Sequence, residues 1–142
     1  MITHADIKDH PTLIMIWEAS VRASHHFLPE DYLQHIKSLL PEIFKHVTIY
    51  VYRSEQGLIT GFLGVSDEKI EMLFIDPQHM RKGIGKQLTR FAIEELRLSA
   101  VDVNEQNKDA LHFYQQLGFT VTKRNKVDSL GKPFPILEMH LK

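Results

Sequence analysis

Two glycines one residue apart, Gly83 and Gly85, follow the cations Arg81 and Lys82 and precede Lys86. Ahead of them the apolar run Met72-Leu73-Phe74-Ile75 ends at Asp76-Pro77. Behind them Ile84, Leu88, Phe91, Ala92 and Leu96 recur at helical spacing. The pattern predicts a strand, a turn and a helix that opens near Ile84. A junction of this kind suits an anion. Glycine has no Cβ, so the chain turns tightly and a ligand can approach its N–H groups. The first N–H groups of a helix lack partners within it, and the helix dipole favours a phosphate there. Arg81 and Lys82 add mobile positive charge.

Two familiar phosphate loops are excluded. A Walker A loop requires a glycine five positions before Gly85 and a Ser or Thr after Lys86, where Met80 and Gln87 stand. A dinucleotide fingerprint requires a third glycine three residues after Gly85, where Leu88 stands. Taken alone, the loop also fits an ordinary strand-to-helix turn that binds nothing.

Other chemistries are narrowed by what the chain lacks. It contains no cysteine, which removes disulfides, thiolate metal sites and a cysteine nucleophile. It contains 9 histidines, but none shows His-Glu-x-x-His spacing, and the adjacent His25 and His26 point apart in extended chain. No metal site is expected. The net charge is −1 with histidines neutral, so no global basic field favours nucleic acid. The longest apolar run, Leu13 to Trp17, is far too short to span a bilayer, and no secretory signal pattern opens the chain. A soluble cytoplasmic protein without nucleic-acid or membrane partners is the expectation.

The elements that must position this loop follow from periodicity and punctuation. At 142 residues, 43% apolar and 25% charged, one domain spanning 1–142 with a sizeable core is expected. Met1 to Thr3 reads as a short edge strand. Asp6 to Ala23 reads as an amphipathic helix, regular from about Pro11. Pro29 is expected at the first position of a second helix, which Pro41 breaks or kinks before His46. Val47 to Arg53, Leu58 to Val65 and Lys69 to Ile75 read as successive antiparallel strands. Ala100 to Val103 is a short strand, and Asn107 can N-cap a helix that Gly118 stops after Leu117. Phe119 to Arg124 and about Ile136 to Leu141 close as two strands. The result is an α/β fold, a mixed and mostly antiparallel sheet with helices on both faces.

A second segment adds to the first loop. It contains Asn107, Ala110, Tyr114 and Gly118-Phe119, spaced as Asn-x-x-Ala-x-x-x-Tyr-x-x-x-Gly-Phe. With Leu73-Phe74-Ile75-Asp76-Pro77 and Gly83-Ile84-Gly85, the chain resembles the GNAT superfamily of acyl-CoA-dependent N-acetyltransferases. The resemblance spans nearly the whole chain. The tail Asp128-Ser129-Leu130-Gly131-Lys132-Pro133-Phe134-Pro135 and the early Ser24-His25-His26-Phe27-Leu28 look most like its bacterial YjaB-type subgroup. One position departs from the pattern: Met80 stands where the family loop begins with Gln or Arg, which leaves phosphate contact to backbone N–H groups, Arg81 and Lys82.

The resemblance implies transfer of an acetyl group from acetyl-CoA to a primary amine, with no metal. A protein lysine or N-terminus stands slightly ahead of a small amine. A free lysine has a pKa of ~10.4, so it must lose a proton before it can attack. Without cysteine, direct transfer in a ternary complex is the simplest scheme. The resemblance also assigns sites. Leu73, Phe74, Ile75, Arg81, Lys82, Gly83, Ile84, Gly85, Lys86 and Asn107 would hold the cofactor, with the Leu73 N–H polarising the thioester carbonyl. Tyr114 would contact the cofactor and protonate the departing thiolate. Glu71 or Asp102 would act as base through a water. His25, His26 and Phe27 lie in the loop that often lines the acceptor pocket, with Tyr32 a weaker candidate. A non-catalytic acyl-CoA sensor is the alternative, and the chain is expected as a monomer or homodimer.

Overall fold

A computed structural model describes all of residues 1–142. The chain divides into two compact units, Met1–Leu98 and Ser99–Lys142. The first unit is built on strands β1 (Ile2–His4), β2 (Thr48–Arg53), β3 (Ile59–Val65) and β4 (Ile70–Ile75). They lie side by side in that order, each antiparallel to its neighbour. Helices α1 (His10–Ser24) and α2 (Glu30–Ile43) cover one face and α3 (Ile84–Glu94) the other. β3 is therefore buried on both sides, and its sequence Ile-Thr-Gly-Phe-Leu-Gly-Val carries no charge.

Side-chain alternation assigns the two faces. Val51, Phe62 and Met72 join Leu13, Trp17, Leu33 and Leu40 in the core beneath α1 and α2. Edge-to-face aromatics bind its layers: Phe44 lies 6.2 Å from Phe62, and Trp17 lies 6.5 Å from Phe74. On the opposite face Ile84, Leu88 and Ala92, spaced by four, bury the stripe of α3. Tyr50 meets Phe91 there with ring centroids 4.9 Å apart.

Two prolines behave differently from the sequence reading. Pro29 is the N-cap of α2 in extended conformation, and the helix starts at Glu30. Pro41 lies inside α2 without ending it. Leu40 and Phe44, 1% and 3% exposed, are buried on either side of it, and a 3-10 turn follows at Phe44–His46. Packing outweighs the one hydrogen bond that proline removes near a helix end.

The second unit contains β5 (Ala100–Asn104), α4 (Lys108–Gln116), β6 (Phe119–Asn125) and β7 (Ile136–Leu141). β7 pairs antiparallel with β5 on one side and β6 on the other. Val101, Val103, Tyr114, Phe119, Leu137 and Met139 are its buried residues. α4 ends before Gly118, whose φ of +100° suits a helix stop that other residues reach only with strain. No helix of either unit is long and apolar enough to cross a membrane.

Candidate functional site

The backbone of β4 sets the first element of the site. The Asp76 N–H donates to the Thr60 carbonyl at 2.9 Å, and Phe74 pairs with Phe62 in the same register. Antiparallel pairing alternates, so the N–H groups of Met72 and Phe74 also turn toward β3. Those of Leu73 and Ile75 turn the other way, to the side of β4 away from β3. These are the two residues singled out from sequence for backbone contact.

After β4, Asp76 caps a 3-10 turn at Pro77–His79, its Oδ1 accepting from the Gln78 N–H at 3.0 Å. Met80 is extended and 55% exposed. Arg81 then takes a left-handed conformation at φ 63°, uncommon for a residue with a side chain. Gly83, at φ 80°, is the N-cap of α3. It has no side chain to cap the helix, and the first turn carries no acidic residue. The opening N–H groups of α3 thus follow directly on Arg81 and Lys82 of the loop, with Lys86 in the helix's own first turn. The donor set suits a pyrophosphate: backbone N–H groups, a helix N-terminus and cations.

What seats this helix is a glycine that sequence reasoning passed over. A Cβ built on Gly61 would fall 2.8 Å from Ile75 Cδ1, 3.2 Å from Ile84 Cγ2 and 3.3 Å from the Phe74 carbonyl oxygen. Its absence lets Ile84, the first residue of α3, press against the sheet. The available signal was a pair of glycines inside a strand, which marks close approach of another segment. Gly64, on the other face, meets only Met72.

The α1–α2 connection carries His25, His26 and Phe27. His26 is exposed, and His25 and Phe27 are half-buried with ring centroids 5.3 Å apart. Burial, with a contribution from the neighbouring His26, lowers the His25 pKa to about 4. The connection is pinned at both ends. Arg22 donates to both carboxylate oxygens of Glu30, at 2.7 and 2.8 Å, and its Nε to Glu18 at 2.9 Å. Glu18 also pairs with Lys37 at 2.6 Å. These pairs hold the Glu18 and Glu30 carboxyls below the usual carboxylate range. Tyr32, the weaker candidate, is buried in α2.

Glu71 lies on β4 with its side chain 32% exposed and its Oε1 4.0 Å from Lys69 Nζ. It lies two residues before Leu73, about 7 Å along the strand. In the second unit, Asp102 is exposed on β5 and lies opposite Glu138 in register. Asn107 caps α4 as expected, its Oδ1 accepting from the Ala110 N–H at 3.2 Å. Tyr114 follows two turns later and is 6% exposed. Its ring meets Phe113 at 5.1 Å and Phe119 at 5.5 Å, both edge-on. Burial raises the phenol above its ordinary pKa, so it stays protonated throughout the working range.

The structure thus places β4 and the Arg81–Lys86 loop together in the first unit, and Asn107 and Tyr114 on one helix of the second. A cavity of about 520 Å³ in the first unit lies elsewhere. Lys45, His46, Tyr50, Val65, Asp67 and Leu98 are among its lining residues, and none belongs to the loop. Its basic side chains are engaged, Lys45 and His46 both lying against Glu42. The backbone geometry of the loop is the stronger pointer to a ligand. No group of His, Asp and Glu that could hold a metal is found.

Residues 20–139 match the family described as Acetyltransferase (GNAT) domain. The chain is 39% identical over 127 residues to the peptidyl-lysine N-acetyltransferase YjaB of Salmonella typhimurium, covering 89% of this chain and 88% of that one. The solution structure of apo-form YjaB from Escherichia coli superposes with a TM-score of 0.90 at 35% identity, over 99% of this chain and 95% of that one. PaiA N-acetyltransferase from Thermoplasma acidophilum, solved in complex with coenzyme A, shares the fold at a TM-score of 0.75 and 21% identity, covering 97% and 96%.

Proposed function

The chain belongs to the GNAT acetyltransferase family, and on that premise we propose that it moves the acetyl group of acetyl-CoA onto the ε-amine of a lysine in a protein or peptide. Its fold is the α/β acyltransferase fold of that family, and residues 1–142 act as one acetyltransferase domain. The observation that carries the reading is the junction of β4 and α3. The outward N–H groups of Leu73 and Ile75 lead directly into a glycine-capped helix N-terminus beside Arg81 and Lys82. The lysine acceptor rests on the peptidyl-lysine activity in the names of the YjaB relatives.

Bound acetyl-CoA supplies the thioester. The N–H groups of Ile84, Gly85 and Lys86, with Arg81 and Lys82, hold its phosphates. Phe74 packs its side chain beneath α1 against Trp17 and so anchors β4 there. The Leu73 N–H donates to the oxygen on which charge develops, and Ile75 pairs with the amide-bearing arm. A preorganised donor of this kind contributes about 3–4 kcal/mol of barrier reduction where it has been measured. Glu71, two residues before Leu73, takes the ammonium proton through a water, with Asp102 the second choice. Asn107 caps α4 and holds Tyr114 in place. The Tyr114 phenol donates to the departing sulfur. Burial makes it a weak acid, so it acts by hydrogen bonding to a thiolate rather than by early proton release.

Titration calorimetry with acetyl-CoA, free CoA and ATP, followed by mass spectrometry of a lysyl peptide, tests this. Binding of acetyl-CoA but not ATP and a gain of one acetyl group on lysine are expected. Absence of acetyl-CoA binding would sink the reading. Binding without transfer to any amine would favour an acyl-CoA sensor.

A further inference from the structure

The cavity of about 520 Å³ sits at the far end of α3 from the glycine loop. Ile84 opens the helix beside that loop. Leu96 and Leu98, just past its last residue Glu94, line the cavity. The 11 residues of α3 separate the two ends by about 16 Å. Val65 and Leu98, 7% and 6% exposed, give the cavity an apolar lining together with the half-buried Leu96. Its volume falls within the range of small-molecule sites, about 300–1,000 Å³.

The polar part of the lining sets the sign of charge that fits. Lys45 and His46 lie 3.2 and 3.6 Å from Glu42, so a carboxylate already answers them. The Ser66 hydroxyl is engaged in its own turn, accepting from the Glu68 and Lys69 N–H groups. Asp67 differs from these. It is exposed at the cavity, and its carboxylate takes part in no hydrogen bond or ion pair. The end of α3 adds to the same sign. The C-terminus of a helix is the negative end of its dipole, where a cation is favourable. The last turn of α3 carries no basic residue, and Glu94 and Glu95 stand at its end. Arg97 follows, but it is exposed and lies outside the lining.

We infer that this cavity binds a small organic cation, a primary ammonium on an apolar chain. The ammonium lies against Asp67 near the end of α3, and the chain covers Val65, Leu96 and Leu98. Burial of the chain supplies the driving force, and Asp67 selects the charge. An anion of the same shape would meet Asp67 and the negative end of the helix. The inference is independent of the acetyltransfer reading, since no lining residue belongs to β4 or to the glycine loop.

The test titrates hexylammonium, hexanoate and hexanol, which share one chain, into nitrogen-15-labelled protein by NMR. Hexylammonium should shift the amides of Thr48, Tyr50, Asp67, Leu96 and Leu98 to saturation, with a Kd of about 1 mM for a ligand this small. Hexanol should bind about 3- to 5-fold more weakly, the worth of one solvent-exposed ion pair. Hexanoate should give no saturable shift. Asp67→Asn should bring hexylammonium to the level of hexanol. Thr48→Trp, at an exposed residue of the lining, fills the cavity and should abolish the shifts. Hexanoate binding as tightly as hexylammonium, or wild-type affinity in either variant, overturns the inference. Shifts confined to β4 and residues 81–86 also overturn it, and would place the amine in the acetyl-transfer site. Failure of acetyl-CoA to bind overturns the acetyltransfer reading alone.

Discussion

Adding one methyl group at Gly61 tests whether the seat of α3 controls the loop. The new Cβ of Gly61→Ala would fall 2.8 Å from Ile75 Cδ1, the free end of a side chain that can rotate away. Ile84 Cγ2 at 3.2 Å and the Phe74 carbonyl oxygen at 3.3 Å are less forgiving. Ile84 is β-branched, helical and 5% exposed, so its Cγ2 moves only with the backbone. Overpacking of this size costs about 1–3 kcal/mol, and replacing a glycine recovers roughly 0.5–1 kcal/mol of chain entropy. A net loss of about 1–2 kcal/mol is expected in urea unfolding. The functional consequence is separate. Displacing Ile84 by a few tenths of an ångström shifts the N–H groups that open α3. Weakening one of their hydrogen bonds by ~1 kcal/mol lowers acetyl-CoA affinity about 5-fold by calorimetry. Gly64→Ala is the control, since its Cβ would meet only the Met72 side chain, from 3.2 Å, on the other face. It should lose stability without losing affinity. Unchanged affinity in Gly61→Ala, or equal loss in both variants, would refute the argument.

Tyr114→Phe keeps the ring between Phe113 and Phe119, so its stability should change by less than about 1 kcal/mol. Its kcat should fall roughly 100-fold with acetyl-CoA affinity intact; turnover within threefold of wild type would remove the phenol from the reaction. Gly83→Ala forces a side chain into φ 80°, costing about 1–2 kcal/mol, and calorimetry should show acetyl-CoA binding weakened about 5- to 30-fold. His25 supplies a pH signature in stability. Its folded pKa of about 4 lies below the ordinary 6.5, so the unfolded chain binds more protons between these values. Its contribution is fully present above pH 6.5 and fades as pH falls toward 4. That lowering sets an upper bound of about 3 kcal/mol. The lowered carboxyls Glu18 and Glu30 lose their contributions below about pH 4.5, a separate window. Unfolding of His25→Gln should therefore be less sensitive than wild type between pH 6.5 and 4.5; identical slopes would refute the assignment.

The glycine loop, the strand before it and the helix after it were legible because each has a local signature. Gly83 needs its left-handed φ, Asp76-Pro77 needs a turn, and Ile84, Leu88 and Ala92 need one buried face. Asn107 as a cap and Gly118 as a stop were legible for the same reason. What escaped depends on residues distant in sequence or on packing. Gly61 matters because Ile84, 23 positions later, rests against it. Pro41 fails to break α2 because Leu40 and Phe44 are buried around it.

The missing cap of α3 has a consequence for the lifetime of the protein. A serine or aspartate at position 83 would stabilise the helix start by a few tenths of a kcal/mol relative to glycine. It would also place an oxygen where an anion is meant to lie. Gly83 leaves that end of the helix satisfied by solvent until a phosphate arrives. A ligand present at 100 times its Kd then adds about 2.7 kcal/mol to the folded state. A shift of that size changes the unfolded fraction about 100-fold, and with it the share of molecules open to proteolysis. The abundance of this chain in a starved cell would then follow the supply of its own acyl donor through the uncapped start of one helix.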